Sequence, residues 1–145
     1  MRAVVQRVRY GRCTVDGKIT GEVGRGLVIL LGVMQGDTLG QAKKLAARCS
    51  KLRCFTDENG KMNLSIKDVG GGFLVISQFT ICADTASGNR PSFTPAAKPD
   101  IANTLYEAFV AECRALDVSV GTGIFGADMD IELCNQGPVT FILEE

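Results

Sequence analysis

Ser77-Gln78-Phe79-Thr80 closes an apolar run that begins at Phe73. Hydroxyls and a carboxamide at the end of a buried segment need hydrogen-bonding partners. Backbone N–H groups at such an end can stabilise a developing oxyanion. The chemistry suggested is attack on an acyl carbonyl, with Thr80 as nucleophile only if a base activates it. Cys82 lies two residues beyond and offers a thiol route, but no activating neighbour is evident for it. The plainer reading is a strand whose polar tail feeds a turn, and the four residues alone do not choose between the two.

The sequence contains no histidine, which removes the Ser-His-Asp and Cys-His mechanisms. It also argues against a catalytic zinc ion, whose sites usually use imidazole. Cys13, Cys49, Cys54, Cys82, Cys113 and Cys134 form no C-x-x-C pair. The expectation is therefore no metal, no cofactor and free, mostly buried thiols. Hydrolysis would have to rely on backbone donors, on hydroxyls, or on a group carried by the substrate.

Other segments have two readings each. Asn135-Gln136-Gly137-Pro138-Val139-Thr140-Phe141 reads first as a Gly-Pro turn between strands. A cis bond before Pro138 would instead turn the chain sharply and fix the neighbouring carbonyls. The G-x-G-x-x-G of residues 121–126 is followed by strand-like alternation rather than a helix, so it is a glycine-rich bend and not a dinucleotide site. Phe125 and Met129 beside it either line a pocket or join the core. Asp128, Asp130 and Glu132 share one strand face, as a cation or acid/base site or as a solvated surface. Lys44, Arg48 and Lys51 form a basic helix stripe, solvated or in contact with phosphates.

These residues need elements to hold them. Residues 3–8 and 13–15 read as strands, with Asp16-Gly17 as a hairpin turn. Residues 26–33 form a buried central strand. Thr38 and Gln41 make a capping box that opens a helix to about Leu52, with Leu45, Cys49 and Leu52 inward. Residues 53–56 lead into a turn at 57–60, and residues 73–81 form a second buried strand. A helix then starts at Pro99 and runs to about Leu116, with Ile101, Leu105 and Phe109 recurring at helical spacing. Three short strands follow at residues 118–120, 129–133 and 139–143.

The expected fold class is α+β: one compact domain over residues 1–145, mostly antiparallel and barrel-like, with about two helices. A chain of 145 residues with 46% hydrophobic and 22% charged residues can bury a core without staples. With 16 basic and 16 acidic residues, no global field draws nucleic acid, so RNA contact would need a local patch. The start at Met1-Arg2-Ala3 shows no secretory segment, and no apolar run is long enough to span a bilayer. A cytoplasmic protein without membrane contact is the expectation.

Taken together, the motifs resemble the D-aminoacyl-tRNA deacylases. The paired signatures are residues 77–80 and 135–141. Val5-Gln6-Arg7-Val8, Gly88-Asn89-Arg90-Pro91-Ser92-Phe93 and Phe125-Gly126-Ala127-Asp128-Met129 support them in the same order, and the resemblance spans the chain. It implies a metal-free hydrolase that cleaves the ester between a D-amino acid, or glycine, and the 3′-terminal adenosine of tRNA. It implies a homodimer with active sites at the interface. The Gly137-Pro138 cis motif would enter the partner's site and exclude L-aminoacyl-tRNA, with Arg7 helping to hold that motif. Ser77, Gln78, Phe79 and Thr80 would surround the reacting centre, and amides near Gln78 and Phe79 would form the oxyanion hole. Activation would come from Thr80 or, preferably, from the ribose 2′-hydroxyl of the RNA. Phe125 and Met129 would contact the adenosine. Two departures stand out: residues 84–88 lack a basic residue common in relatives, and Gln136 replaces a more usual Asp or Ser. The alternatives are a non-catalytic nucleic-acid-binding module using the Lys44/Arg48/Lys51 face, and a thiol enzyme using Cys82.

Overall fold

The computed structural model describes residues 1–145. Its centre is β1 (Arg2–Val15), one long strand where two short ones were expected. Its first half pairs with β3 (Gly26–Gly32) and its second half with β2 (Lys18–Val23), while β8 (Asp130–Glu144) runs antiparallel along the other edge. Val8 and Gly11 both keep partners on β8, and Arg9 and Tyr10 between them fall at a register shift rather than at a break, so β1 runs on from Val8 to Cys13. The turn after it is the expected hairpin. Asp16 and Gly17 both have positive φ, 49° and 74°.

From β3 the sheet continues through parallel pairings to β6 (Gly72–Ser77) and then β7 (Ser119–Thr122). It curls until β2 and β7 nearly meet. A Cβ on Gly21 would lie 2.4 Å from the Thr122 carbonyl oxygen, and one on Gly121 would lie 2.8 Å from that of Glu22. Glycine at both positions lets the backbones close the sheet into a near-barrel. The small hairpin of β4 (Phe55–Thr56) and β5 (Met62–Leu64) stands apart.

Both faces of the β3–β6 pair are buried, which is why their sequences are continuously apolar. Leu27, Ile29, Phe73 and Val75 pack towards α1 (Leu39–Lys51) and α2 (Pro99–Ala115) in the main core. Val28, Leu74 and Ile76 form a smaller core with Val8 and Cys13 on the other face. Thr38 and Gln41 close a reciprocal capping box at the start of α1.

Three expectations are corrected. The apolar stripe of α2 is Ala102, Leu105, Tyr106, Phe109, Val110 and Cys113, an i, i+3, i+4 repeat. That repeat leaves Ile101 49% exposed. Residues 130–133 and 139–143 belong to one strand, β8, rather than two, and Met129 lies just before it. Strand β6 stops at Ser77, and residues 79–82 form a 3-10 turn (Phe79–Cys82). Its neighbours set that end, because β3 finishes at Gly32 and β7 at Thr122. The turn then folds onto Gly32, where a Cβ would lie 2.5 Å from the Cys82 sulfur.

Candidate active site

At the end of β6 a cavity of about 590 Å³ opens, with mostly apolar walls. Ser77, Gln78 and Phe79 form one side and Phe125, Asp128 and Met129 the other. The ends of adjacent parallel strands, β6 and β7, therefore present both groups to one space. Gly123 allows the close packing of that wall, since a Cβ there would lie 2.4 Å from the Met129 sulfur. Met129 and Phe125 also pack against the smaller and larger cores, so lining and core readings both hold.

Gln78 occupies the corner between strand and turn. Its own amide is committed to the Leu31 carbonyl at 2.8 Å, so it is not free for an oxyanion. The amides that open the 3-10 turn, Phe79 and Thr80, have no acceptor within the turn. The Gln78 side chain donates to the Thr80 hydroxyl oxygen at 2.5 Å. Thr80 is exposed and stands outside the cavity lining. No titratable base is among its hydrogen-bond partners.

Cys82 is buried and its Sγ donates to the Val33 carbonyl at 3.7 Å. Burial pushes its thiol above the usual value, against a smaller opposing pull from Arg2. This environment suppresses the thiolate that a thiol mechanism requires.

The mouth is aromatic. Phe79 and Phe93 meet edge-to-face with centroids 5.0 Å apart, and both are exposed. Deeper, Tyr106 stands 6.0 Å from Phe125 and donates to the Val75 carbonyl at 2.8 Å. From sequence, Phe93 stood only as the last residue of the 88–93 segment, with no role given to it, and Tyr106 was not singled out. The signal for Tyr106 was its place on the buried stripe of α2, four residues after Ala102.

Gly137, Pro138 and Arg7 are not part of this cavity. On β1, Gln6 faces Thr140 and Val8 faces Asn135, so residues 136–139 stand opposite Arg7 alone. The Gly-Pro segment is thus a bulge within β8, not a turn between strands. The Gly137-Pro138 peptide is cis and Gly137 has φ 143°. Arg7, 8% exposed, donates from Nε to the Gln136 carbonyl at 3.0 Å and from Nη1 to the Cys54 carbonyl at 2.6 Å. Asn135 closes the neck of the bulge: Val139 N–H donates to its Oδ1 at 2.7 Å, and its Nδ2 donates to the Val139 carbonyl at 3.3 Å and the Thr140 hydroxyl at 2.9 Å.

The remaining charged candidates are surface groups. Asp128, Asp130 and Glu132 are all exposed, but only Asp130 and Glu132 share a strand face, since Asp128 precedes β8 and lines the cavity. The Glu132 carboxylate beside Tyr10 pushes that phenol up, by charge and by hydrogen bonding. In the basic stripe, Lys44 and Arg48 pair with the Glu145 carboxylate at 3.0 and 2.5 Å and hold it below the usual range. Two of the three cations are therefore already neutralised within the chain.

The profile of the D-Tyr-tRNA(Tyr) deacylase family matches residues 4–144. A D-aminoacyl-tRNA deacylase from Deinococcus radiodurans is 59% identical over 144 residues, covering 99% of both chains. One from Azoarcus sp. (strain BH72) is 56% identical over 143 residues, covering 99% of this chain and 95% of the relative. Among solved structures, one described as a c-Myc DNA unwinding element binding protein superposes with a TM-score of 0.94 at 36% identity, covering 100% of this chain and 99% of that one. A second, described as a probable eukaryotic D-amino acid tRNA deacylase, shares the fold with a TM-score of 0.79 at 17% identity. On sequence matches that run nearly end to end, the chain belongs to the D-Tyr-tRNA(Tyr) deacylase family.

Proposed function

We propose that this protein hydrolyses the ester between a D-amino acid, or glycine, and the 3′-terminal adenosine of tRNA. The observation that carries the reading is the apolar cavity between Ser77-Gln78-Phe79 and Phe125-Met129, in a chain of this family. Phe125 and Met129 suit a flat purine, and the acyl carbonyl would then lie against the start of the 3-10 turn. Unsatisfied amides there would stabilise the oxyanion that forms on water attack.

Proton transfer is assigned to the 2′-hydroxyl of the RNA. Thr80 receives a hydrogen bond from an amide and has no base, and Cys82 is buried. The reaction is assigned as metal-independent, with no cofactor.

Selectivity is assigned to a homodimer in which Gly137-Pro138 of one protomer enters the cavity of its partner. Both residues are exposed, and Asn135 and Arg7 hold the bulge that presents them. Backbone carbonyls in the space an L side chain needs would reject the L ester by exclusion. A cytoplasmic setting suits six cysteines that are all free. No helix is long and apolar enough to cross a membrane.

The test is deacylation of matched D-tyrosyl- and L-tyrosyl-tRNA with a chelator present. The expected result is loss of the D ester only. Equal loss of both would remove the stereochemical assignment, and activity restored only by added metal would remove the metal-free one.

A further inference from the structure

Behind the wall made by Tyr106 and Phe125 lies a second groove of about 280 Å³. Asn103, Glu107, Val110 and Arg114 reach it from one face of α2, at i, i+4, i+7 and i+11. Thr122 and Gly123 form the facing side. Asn103 Nδ2 donates to Glu107 Oε1 at 3.2 Å. That bond orients the carboxylate and leaves acceptor capacity on it. Arg114 is exposed and takes part in none of the ion pairs of the chain. Glu107 and Arg114 stand seven residues apart, roughly 10.5 Å along the helix axis. The groove therefore offers an oriented acceptor beside two aromatic rings at one end and a free cation at the other.

That order of groups matches one nucleotide, with an amine-bearing base at the acceptor end and a phosphate at the cation. The two cavities share Tyr106 and Phe125, so an RNA leaving the first meets the second at once. All tRNAs end in cytidine-cytidine-adenosine. We propose that the groove is a binding subsite for the cytidine that precedes the terminal adenosine. Glu107 accepts from the exocyclic amine of the base, the Tyr106–Phe125 edge lies beside its ring, and Arg114 takes its 5′ phosphate. The assignment rests on the deacylase reading of the first cavity. It supplies the local contact with RNA that a chain of zero net charge requires.

The experiment compares two D-tyrosyl esters: that of adenosine alone and that of 5′-phosphorylated cytidylyl-adenosine. The wild type should cleave the dinucleotide ester with kcat/KM at least about tenfold higher. Glu107→Ala and Arg114→Ala should each lose most of that gain while cleaving the adenosine ester as the wild type does. Both positions are exposed on a helix that alanine suits, so the fold is kept. Arg114→Ala should also flatten the dependence of kcat/KM on salt for the dinucleotide ester, by about 0.7 in the log-log slope. Exchanging cytidine for uridine should slow the wild type and leave Glu107→Ala unaffected. Equal wild-type rates on the two esters, or variants that slow both alike, would overturn the subsite and leave the deacylase reading standing. A wild type that cleaves neither ester would refute that reading, and the subsite with it.

Discussion

Asn135 and Val139 are joined by two hydrogen bonds, from the Val139 N–H to Oδ1 at 2.7 Å and from Nδ2 to the Val139 carbonyl at 3.3 Å. One side chain thus stands in for the strand partner that residues 136–139 lack, and it fixes where the Gly137-Pro138 carbonyls point. Asn135→Ala removes both bonds and frees the neck. If those carbonyls exclude L substrates, the ratio of D to L hydrolysis should fall about tenfold, mainly through a faster L reaction. Rates on D- and L-tyrosyl-tRNA check this. An unchanged ratio would move the source of selectivity elsewhere.

Arg7 spans the same bulge from the other strand, bridging the Gln136 and Cys54 carbonyls. Its guanidinium forks to both, which a lysine ammonium does not reproduce. Removing a charged donor from two carbonyls at a buried position costs about 2–4 kcal/mol. For Arg7→Ala this corresponds to a drop in Tm of roughly 5–15 °C. Arg7→Lys should recover only part of it. A melting curve within about 2 °C of wild type would show that the clamp carries little energy.

Thr80 and Cys82 give the clearest test of where the proton goes. The Thr80 hydroxyl accepts from Gln78 and has no base beside it, and the Cys82 thiol is held protonated by burial. Thr80→Val and Cys82→Ala should each keep kcat/KM within about threefold of wild type. A D-aminoacyl-tRNA ending in 2′-deoxyadenosine should be cleaved about a hundredfold more slowly. The opposite pattern, a dead Thr80→Val enzyme that cleaves the deoxy substrate normally, would make Thr80 the nucleophile.

What could be read ahead of the structure follows from local physics. The capping box at Thr38, the Asp16-Gly17 turn and the buried β3 run are set by short-range chemistry and patterning, and each stands where it was expected. The end of β6 was not legible, because it depends on where β3 and β7 stop and on Gly32 receiving the turn. The bulge in β8 was hidden for a similar reason: only the pairing with β1 reveals that residues 136–139 face Arg7 alone. Ser77, Gln78, Phe79, Phe125 and Met129 do meet in one cavity, yet their wide separation along the chain left no local sign of it. The basic stripe was legible as a pattern but not in its pairing, since Glu145 reaches Lys44 and Arg48 from the far end of the chain.

The buried thiols should make the fold sensitive to alkali. Burial pushes Cys113 up to about 12 from 9.0, with Glu112 adding to it. Burial raises Cys49 further, with Cys113 adding to it, and raises Cys54 against a pull from Arg7. Below pH 9.0 these thiols are protonated in both the folded and the unfolded chain, and their contribution to stability is complete. Above it the unfolded chain sheds protons that the folded one retains, so stability falls as pH rises towards the folded values, by about 1.4 kcal/mol per pH unit for each thiol. Tyr106, raised by burial to about 12 from 10.0, adds to the slope once the unfolded phenol begins to ionise. Melting temperature measured from about pH 8 to about pH 10.5 should therefore decline with increasing steepness above about pH 9. The double variant Cys49→Ala/Cys113→Ala should melt lower at neutral pH, because it leaves cavities. Its decline with alkali should nevertheless be shallower, and a slope equal to that of wild type would show that these thiols do not govern the alkaline limit.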